Sequence, residues 1–138
     1  MELTNKVIVD TDFLSLYLKG DLISKKYVED MITNGYLFTT TSITSSELFY
    51  GAYKKNWKRA RIEVLKQFLE KIGVLAFSYN HSLVYGKLRA SMIKSGKEIG
   101  FADTAIASIC IEEKIPLFTF DIRHFKEIDK LEFYNKDF

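Results

Sequence analysis

Short β-rich apolar runs alternate with longer segments of helical periodicity along the whole chain. The strand-like runs cover residues 7–10, 37–41, 74–77, 117–121 and 131–134. Between them, apolar residues recur every three or four positions, as from Ile62 to Ile72, which is typical of one buried helix face. Strands alternating with helices of this length predict an α/β fold with a central, mostly parallel sheet covered on both faces.

Composition narrows the class of protein further. The 138 residues fit one domain spanning 1–138, and 47% of them are hydrophobic, enough for a sizeable core. A single cysteine, Cys110, excludes an internal disulfide and a multi-cysteine zinc site. No apolar stretch approaches the roughly 20 residues that cross a bilayer, and the N-terminus lacks a signal-peptide pattern. We therefore expect a cytoplasmic protein without membrane association.

Acidic residues follow several of the predicted strands. The first and fourth runs end in Asp10 and Asp121, and the carboxyl ends of parallel strands meet at one edge of a sheet. Glu47 and Asp103 lie near the starts of helices at the same predicted edge. Four carboxylates there repel one another unless they are protonated or bridged by cations. Hard oxygen ligands of this kind suit Mg²⁺ or Mn²⁺, and such ions assist phosphodiester hydrolysis.

Each acidic residue also has a purely structural interpretation. Glu47 could complete a capping box with Thr44, where its carboxylate would accept a backbone N–H. Asp103 could stabilise the first turn of its helix through the helix dipole. Asp12 is expected to cap the first helix, and Asp121 could cap the short helix that follows it. Taken together, these interpretations do not account for the gathering of all four carboxylates at one edge.

Four short segments carry the acidic residues in a recurring order. They are VDTDFLS (9–15), SELFYG (46–51), IGFADTAIA (99–107) and FTFDIRHF (118–125). These segments resemble the motifs of PIN-domain nucleases, and among them those of VapC-type toxins of prokaryotic toxin–antitoxin pairs. The resemblance covers nearly the whole chain and implies a PIN-like α/β/α sandwich.

The resemblance also implies a site and partners. Asp10, Glu47, Asp103 and Asp121 would hold one or two Mg²⁺ or Mn²⁺ ions and cleave RNA, leaving a 5′-phosphate and a 3′-hydroxyl. Many members of the family form homodimers, and a VapB-type antitoxin silences them. In this family the fourth acidic position is often asparagine, whereas this chain keeps the charged form.

Other polar residues are expected to support such a site. The hydroxyls of Thr11 and Thr119 can hydrogen-bond the carboxylates and hold them in position. An acidic pocket repels the RNA backbone, so nearby positive charge is needed. Trp57, within the basic segment 54–61, either stacks a base or packs against the core of a solvated connection. The candidate RNA-contacting residues are Lys54, Lys55, Lys58, Arg59, Arg89 and Arg123.

Two alternatives belong to other functional classes. Residues 7–12 also resemble the first motif of haloacid-dehalogenase-type phosphatases, in which Asp10 would be the nucleophile and Asp12 the acid. That family has no place for Glu47. The second alternative is a PIN-like module that binds RNA or a partner without cutting, against which the complete acidic set argues.

Overall fold

The computed structural model describes residues 5–134. The strands are β1 (Asn5–Val9), β2 (Tyr36–Thr41), β3 (Val74–Leu75) and β4 (Leu117–Phe118). The helices are α1 (Thr11–Leu18), α2 (Leu22–Thr33), α3 (Ser42–Lys54), α4 (Arg59–Ile72), α5 (Tyr79–Lys94), α6 (Phe101–Glu113) and α7 (Ile122–Phe125). Among these described helices, none combines the length and apolar character needed to span a membrane.

The described strands form one parallel sheet in the order β3-β2-β1-β4. Every neighbouring pair runs in the same direction, with Val7 opposite Phe38 and Val9 opposite Phe118. The three apolar residues of β1, Val7 to Val9, are completely buried, as expected of a central parallel strand that is covered on both faces. β1 and β4, the two strands whose runs contain the aspartates, are therefore direct neighbours.

Alternation along β1 divides the core into two layers. Val7 and Val9 pack into a cluster with residues of α1, α2, α3 and α4. Ile8 points to the opposite face, into a cluster with residues of α5, α6 and α7. Because successive side chains of a strand point to opposite faces, this arrangement buries both sides of the sheet. The predicted α/β/α sandwich is confirmed.

The structure corrects the predicted last strand. Instead of a strand over 131–134, the described chain has a single bridge between Phe133 and Leu117. β4 is also shorter than predicted and ends at Phe118, three residues before Asp121. The chain turns there because the Asp121 N–H donates to Thr119 Oγ1 at 2.9 Å, a side-chain bond that takes the place of a sheet contact.

Candidate active site

Asp10 joins the sheet to the first helix. It follows β1 directly, and its Oδ1 accepts the Phe13 N–H at 3.0 Å, so that Asp10 itself is the N-cap of α1. The prediction that Asp12 caps this helix is wrong. Asp12 lies in the first turn with its side chain exposed, and its charge remains available to the site. Asp10, in contrast, is 7% exposed.

The sheet register places Thr119, not Asp121, beside Asp10. Val9 pairs with Phe118, so the next residues along the two strands, Asp10 and Thr119, stand level at the carboxyl edge. The Thr119 hydroxyl hydrogen-bonds the Asp10 carboxylate and also accepts the Asp121 N–H. Asp121 begins α7 as an exposed residue and connects to Asp10 through this threonine.

Glu47 reaches the same edge from α3. This helix is capped by Thr41, whose Oγ1 accepts the Thr44 N–H at 3.3 Å, so the predicted capping box between Thr44 and Glu47 is wrong. The Glu47 carboxylate instead accepts a short hydrogen bond from the Thr11 hydroxyl. Thr11 Oγ1 also lies 3.0 Å from Thr44 Oγ1, which fixes the threonine between α1 and α3.

Asp103 enters the site from the first turn of α6. The chain turns into this helix at Gly100, whose φ of 92° is readily adopted only by glycine. Asp103 Oδ2 lies 2.9 Å from His124 Nε2 on α7. This role of His124 could not be predicted from the sequence, because the two residues are 21 positions apart and no second histidine stands at ligand spacing.

Burial and repulsion between like charges raise the pKa of two of these residues, Asp10 and Asp103. Burial, followed by the neighbouring charges of Asp12 and Asp103, raises the pKa of Asp10 from 3.8 to about 6, against the opposing effect of its hydrogen bonds. Burial also raises the pKa of Asp103, and the charges of Glu47 and Asp12 act in the same direction. Asp10, Asp12, Glu47 and Asp103 thus form one electrostatically coupled group, which we call the acidic cluster.

The acidic cluster has the donor chemistry of a magnesium or manganese site. Its ligating atoms are carboxylate oxygens, which these hard cations prefer, and a cation would compensate the desolvated charge of Asp10. Among residues 5–134, no three Asp, Glu, His or Cys side chains converge closely enough to bind an ion as they stand. Coordination therefore requires the carboxylates to draw together around the cation.

His124 limits the rise in the Asp103 pKa. Its charge and its hydrogen bond are the two effects that lower the pKa of this carboxyl. We expect His124→Gln to raise the pKa of Asp103 in metal-free protein, measured by NMR titration of the side-chain carboxyl carbon. Arg123→Gln, which removes a charge from an exposed neighbouring side chain, is the control. An unchanged Asp103 titration in His124→Gln would refute the contact.

The predicted RNA-contacting residues are dispersed over the surface. The Lys54 amine lies 5.7 Å from the centre of the Tyr50 ring. Arg89 forms a salt bridge with Glu98 and donates to the Tyr85 hydroxyl at 2.6 Å. The remaining residues of the set are exposed, namely Lys55, Lys58, Arg59 and Arg123. Of the six, Lys55 lines the groove that also contains Asp12 and Glu47 of the acidic cluster.

Comparison with known proteins identifies the family. The family model of the PIN domain matches residues 7–131. The chain belongs to the PIN domain family. It is 33% identical over 88 residues to Ribonuclease VapC2 of Haemophilus influenzae, which covers 64% of this chain and 67% of that protein. It is 32% identical over 108 residues to Ribonuclease VapC2 of Rickettsia felis, covering 78% and 81%. The resemblance predicted from the sequence is confirmed.

A solved structure agrees with this PIN domain assignment. The crystal structure of VapBC2 from Rickettsia felis bound to a DNA fragment from their promoter contains a chain that superposes with a TM-score of 0.82. The two chains are 29% identical, and the match covers 93% of this chain and 96% of the other. PIN-domain ribonucleases are generally dependent on divalent metals, in keeping with the carboxylates of the acidic cluster.

Proposed function

We propose that this PIN domain protein is a metal-dependent endoribonuclease and the toxin of a VapBC-type toxin–antitoxin pair. The observation that supports the proposal is the electrostatic coupling of buried Asp10 to Asp103, and of Asp103 to Glu47, near the carboxyl edge of the sheet. Family membership and the VapC ribonuclease relatives support the nuclease over other metal-dependent chemistry. Asp121 is kept as a fourth proposed catalytic residue on its motif alone.

Asp10, Glu47 and Asp103 would hold one or two Mg²⁺ or Mn²⁺ ions, with Asp121 nearby. When bound, such an ion supplies an activated water for attack on the phosphodiester and offsets the charge that develops on the phosphate. The protein orients the carboxylates through neutral partners. Thr119 binds Asp10 and Thr11 binds Glu47, so the proposed supporting roles of both threonines rest on these contacts.

The proposed partners follow from the relatives. Similar chains occur in VapBC complexes, which supports a VapB-type antitoxin as the partner of this protein. RNA as the substrate is supported by the names of the VapC ribonucleases. We also propose a homodimer that acts in the cytoplasm, in line with the family resemblance of the whole chain.

Both alternative functions have less support. A haloacid-dehalogenase-type phosphatase leaves Glu47 without a role, whereas here its carboxylate is tied to Thr11, next to Asp10. The PIN family match also favours the nuclease. A non-catalytic binding module would not need to retain the buried, mutually repelling carboxylates of Asp10 and Asp103, which cost stability.

Removal of divalent metal tests the proposed activity. Labelled RNA incubated with purified protein and Mn²⁺ is expected to be cut into products with 5′-phosphate and 3′-hydroxyl ends, and EDTA is expected to stop the reaction. An Asp103→Asn protein purified in the same way controls for contaminating ribonucleases. EDTA-resistant cleavage that is absent from the Asp103→Asn preparation would rule out the metal mechanism. Binding without any cleavage would favour the non-catalytic module.

A further inference from the structure

A groove of about 330 Å³ extends from the acidic cluster along α3 and α4. We call it the α3–α4 groove. Asp12 and Glu47 contribute acidic side chains to its lining, and Lys19, Lys55 and Arg61 contribute cationic ones. The groove therefore joins the proposed cutting site to a set of positive charges on one continuous surface.

Arg61 is held in a fixed orientation in this groove. Its guanidinium carbon lies 3.7 Å from the centre of the Trp57 ring, which places the planar group against the indole. Trp57 is half-buried and packs against the core cluster of α1 to α4, and its backbone N–H donates to the Ala52 carbonyl oxygen at 3.0 Å. The core thus supports the ring, and the ring supports the guanidinium.

Arg61 is not neutralised within the described part of the chain. Among residues 5–134, no carboxylate forms an ion pair with Arg61 or Lys55, although Asp12 and Glu47 line the same groove. A guanidinium that is preorganised on an aromatic ring and free of an internal partner keeps its N–H groups available for a bidentate anion. Phosphate and carboxylate both fit this fork geometry, and phosphate is the anion that an RNA strand carries.

We propose that Arg61, braced by Trp57, binds a backbone phosphate of single-stranded RNA beside the bond to be cut, with Lys55 adding positive charge. The inference rests on the proposed ribonuclease function and assigns its substrate path. A polyanion must approach an acidic cluster that repels it, so a cation at the entrance lowers the cost of approach. The indole face already carries Arg61, which makes the arginine, rather than base stacking on Trp57, the contact to RNA.

Basic residues outside the groove serve as controls for Arg61. Asp12 and Glu47 of the acidic cluster share the groove with Lys55 and Arg61. Lys54 lies over Tyr50, outside the groove lining. Lys66 lies on the same helix as Arg61, five residues further along, and is exposed without lining the groove. Five residues correspond to about 140° around an α-helix, so Lys66 points away from Arg61.

Binding of a fluorescein-labelled, mixed-sequence 15-nucleotide single-stranded RNA tests the inference. The measurement is fluorescence anisotropy in EDTA, over a series of KCl concentrations. Arg61→Gln is expected to weaken binding about tenfold, because one charge-assisted contact is lost. It should also reduce the slope of log affinity against log salt by about 0.7, the value for one phosphate on a single strand. Arg61→Lys should restore the slope but only part of the affinity.

Lys66→Gln is the matched control and should leave both affinity and slope unchanged. Equal effects of Arg61→Gln and Lys66→Gln would overturn the inference, as would an Arg61→Gln slope identical to that of the wild type. An unchanged slope would instead favour an acidic segment of a protein partner as the occupant of the groove. Thermal unfolding of each variant shows that a loss of binding is not a loss of fold.

Cleavage of the same RNA with Mn²⁺ separates the two proposals. Relative to the wild type, Arg61→Gln is expected to raise KM about tenfold with little change in kcat, as for a contact made equally in the ground state and the transition state. If the wild type cuts the RNA and Arg61→Gln has the same KM, the proposed role of Arg61 is wrong and the ribonuclease proposal stands. If the protein binds RNA through Arg61 but does not cut it, the ribonuclease proposal is wrong and the proposed RNA contact of Arg61 stands.

Discussion

Asp103→Asn is expected to reduce Mn²⁺-supported RNA cleavage at least about 10³-fold while leaving the fold intact, because a bound cation contributes several kcal/mol to such a reaction. The amide is almost the same size as the carboxylate, and its oxygen can still accept from His124 Nε2, which lies 2.9 Å from Asp103 Oδ2. The charge that would hold the cation is lost. Initial rates of cleavage at saturating Mn²⁺ measure the effect.

Two further variants make this result interpretable. Asp129→Asn removes an exposed carboxylate outside the acidic cluster and should cut RNA like the wild type. Asp121→Asn should have a smaller effect than Asp103→Asn, because Thr119 rather than Asp121 stands level with Asp10 at the sheet edge. Wild-type activity of Asp103→Asn at saturating Mn²⁺ would show that the site assignment is wrong.

Asp10→Asn is expected to make the metal-free protein more stable near neutral pH, by about 2–3 kcal/mol in the free energy of unfolding. Burial raises the pKa of Asp10 from 3.8 to about 6, so the folded state favours the protonated carboxyl. The stability that this group contributes is complete below pH 3.8 and is lost as the pH rises through about 6. Asparagine stays neutral and avoids that loss.

Urea unfolding in EDTA at a series of pH values measures this difference. The gain of Asp10→Asn over the wild type should be small near pH 4 and should level off above about 6. Asp10→Ala is the matched control, since it also removes the charge but loses the cap on the Phe13 N–H, which costs about 1 kcal/mol. A difference that does not vary with pH would contradict the assigned pKa.

The sequence predicts the sheet well because its central strand is marked so plainly. Val7, Ile8 and Val9 are buried on alternating faces, and such a run has few other stable environments in a chain of this size. Since the alternation of strands with helices predicts a parallel sheet, the carboxyl edge and the position of Asp10 on it could be predicted before any coordinates.

The sequence could not predict which residue stands at the sheet edge or which residue caps α1, because each depends on a shift of one or two residues. Asp121 follows an apolar run just as Asp10 does, but β4 stops at Phe118 and leaves Thr119 at the edge. Asp10 and Asp12 are equally good helix caps by residue type, and only the start of α1 decides between them. Such positions are set by hydrogen bonds and not by hydrophobic pattern.

Contacts between distant elements were beyond the sequence as well. His124 meets Asp103 because α7 packs beside the start of α6. A local contact was missed too: Trp57, in the short connection before α4, lies against Arg61 in the first turn of that helix, where the residue pattern indicates only a basic surface. In the structure Asp103 acts electrostatically on Asp10, and Glu47 acts on Asp103, whereas the catalytic roles of these residues stay predictions.

Anomalous diffraction from crystals of this protein soaked in Mn²⁺ tests the central claim most directly. The account predicts a manganese peak among the carboxylates of Asp10, Glu47 and Asp103, and loss of that peak in Asp103→Asn crystals. Full manganese occupancy elsewhere on the protein, with these three carboxylates left without a cation, would contradict it.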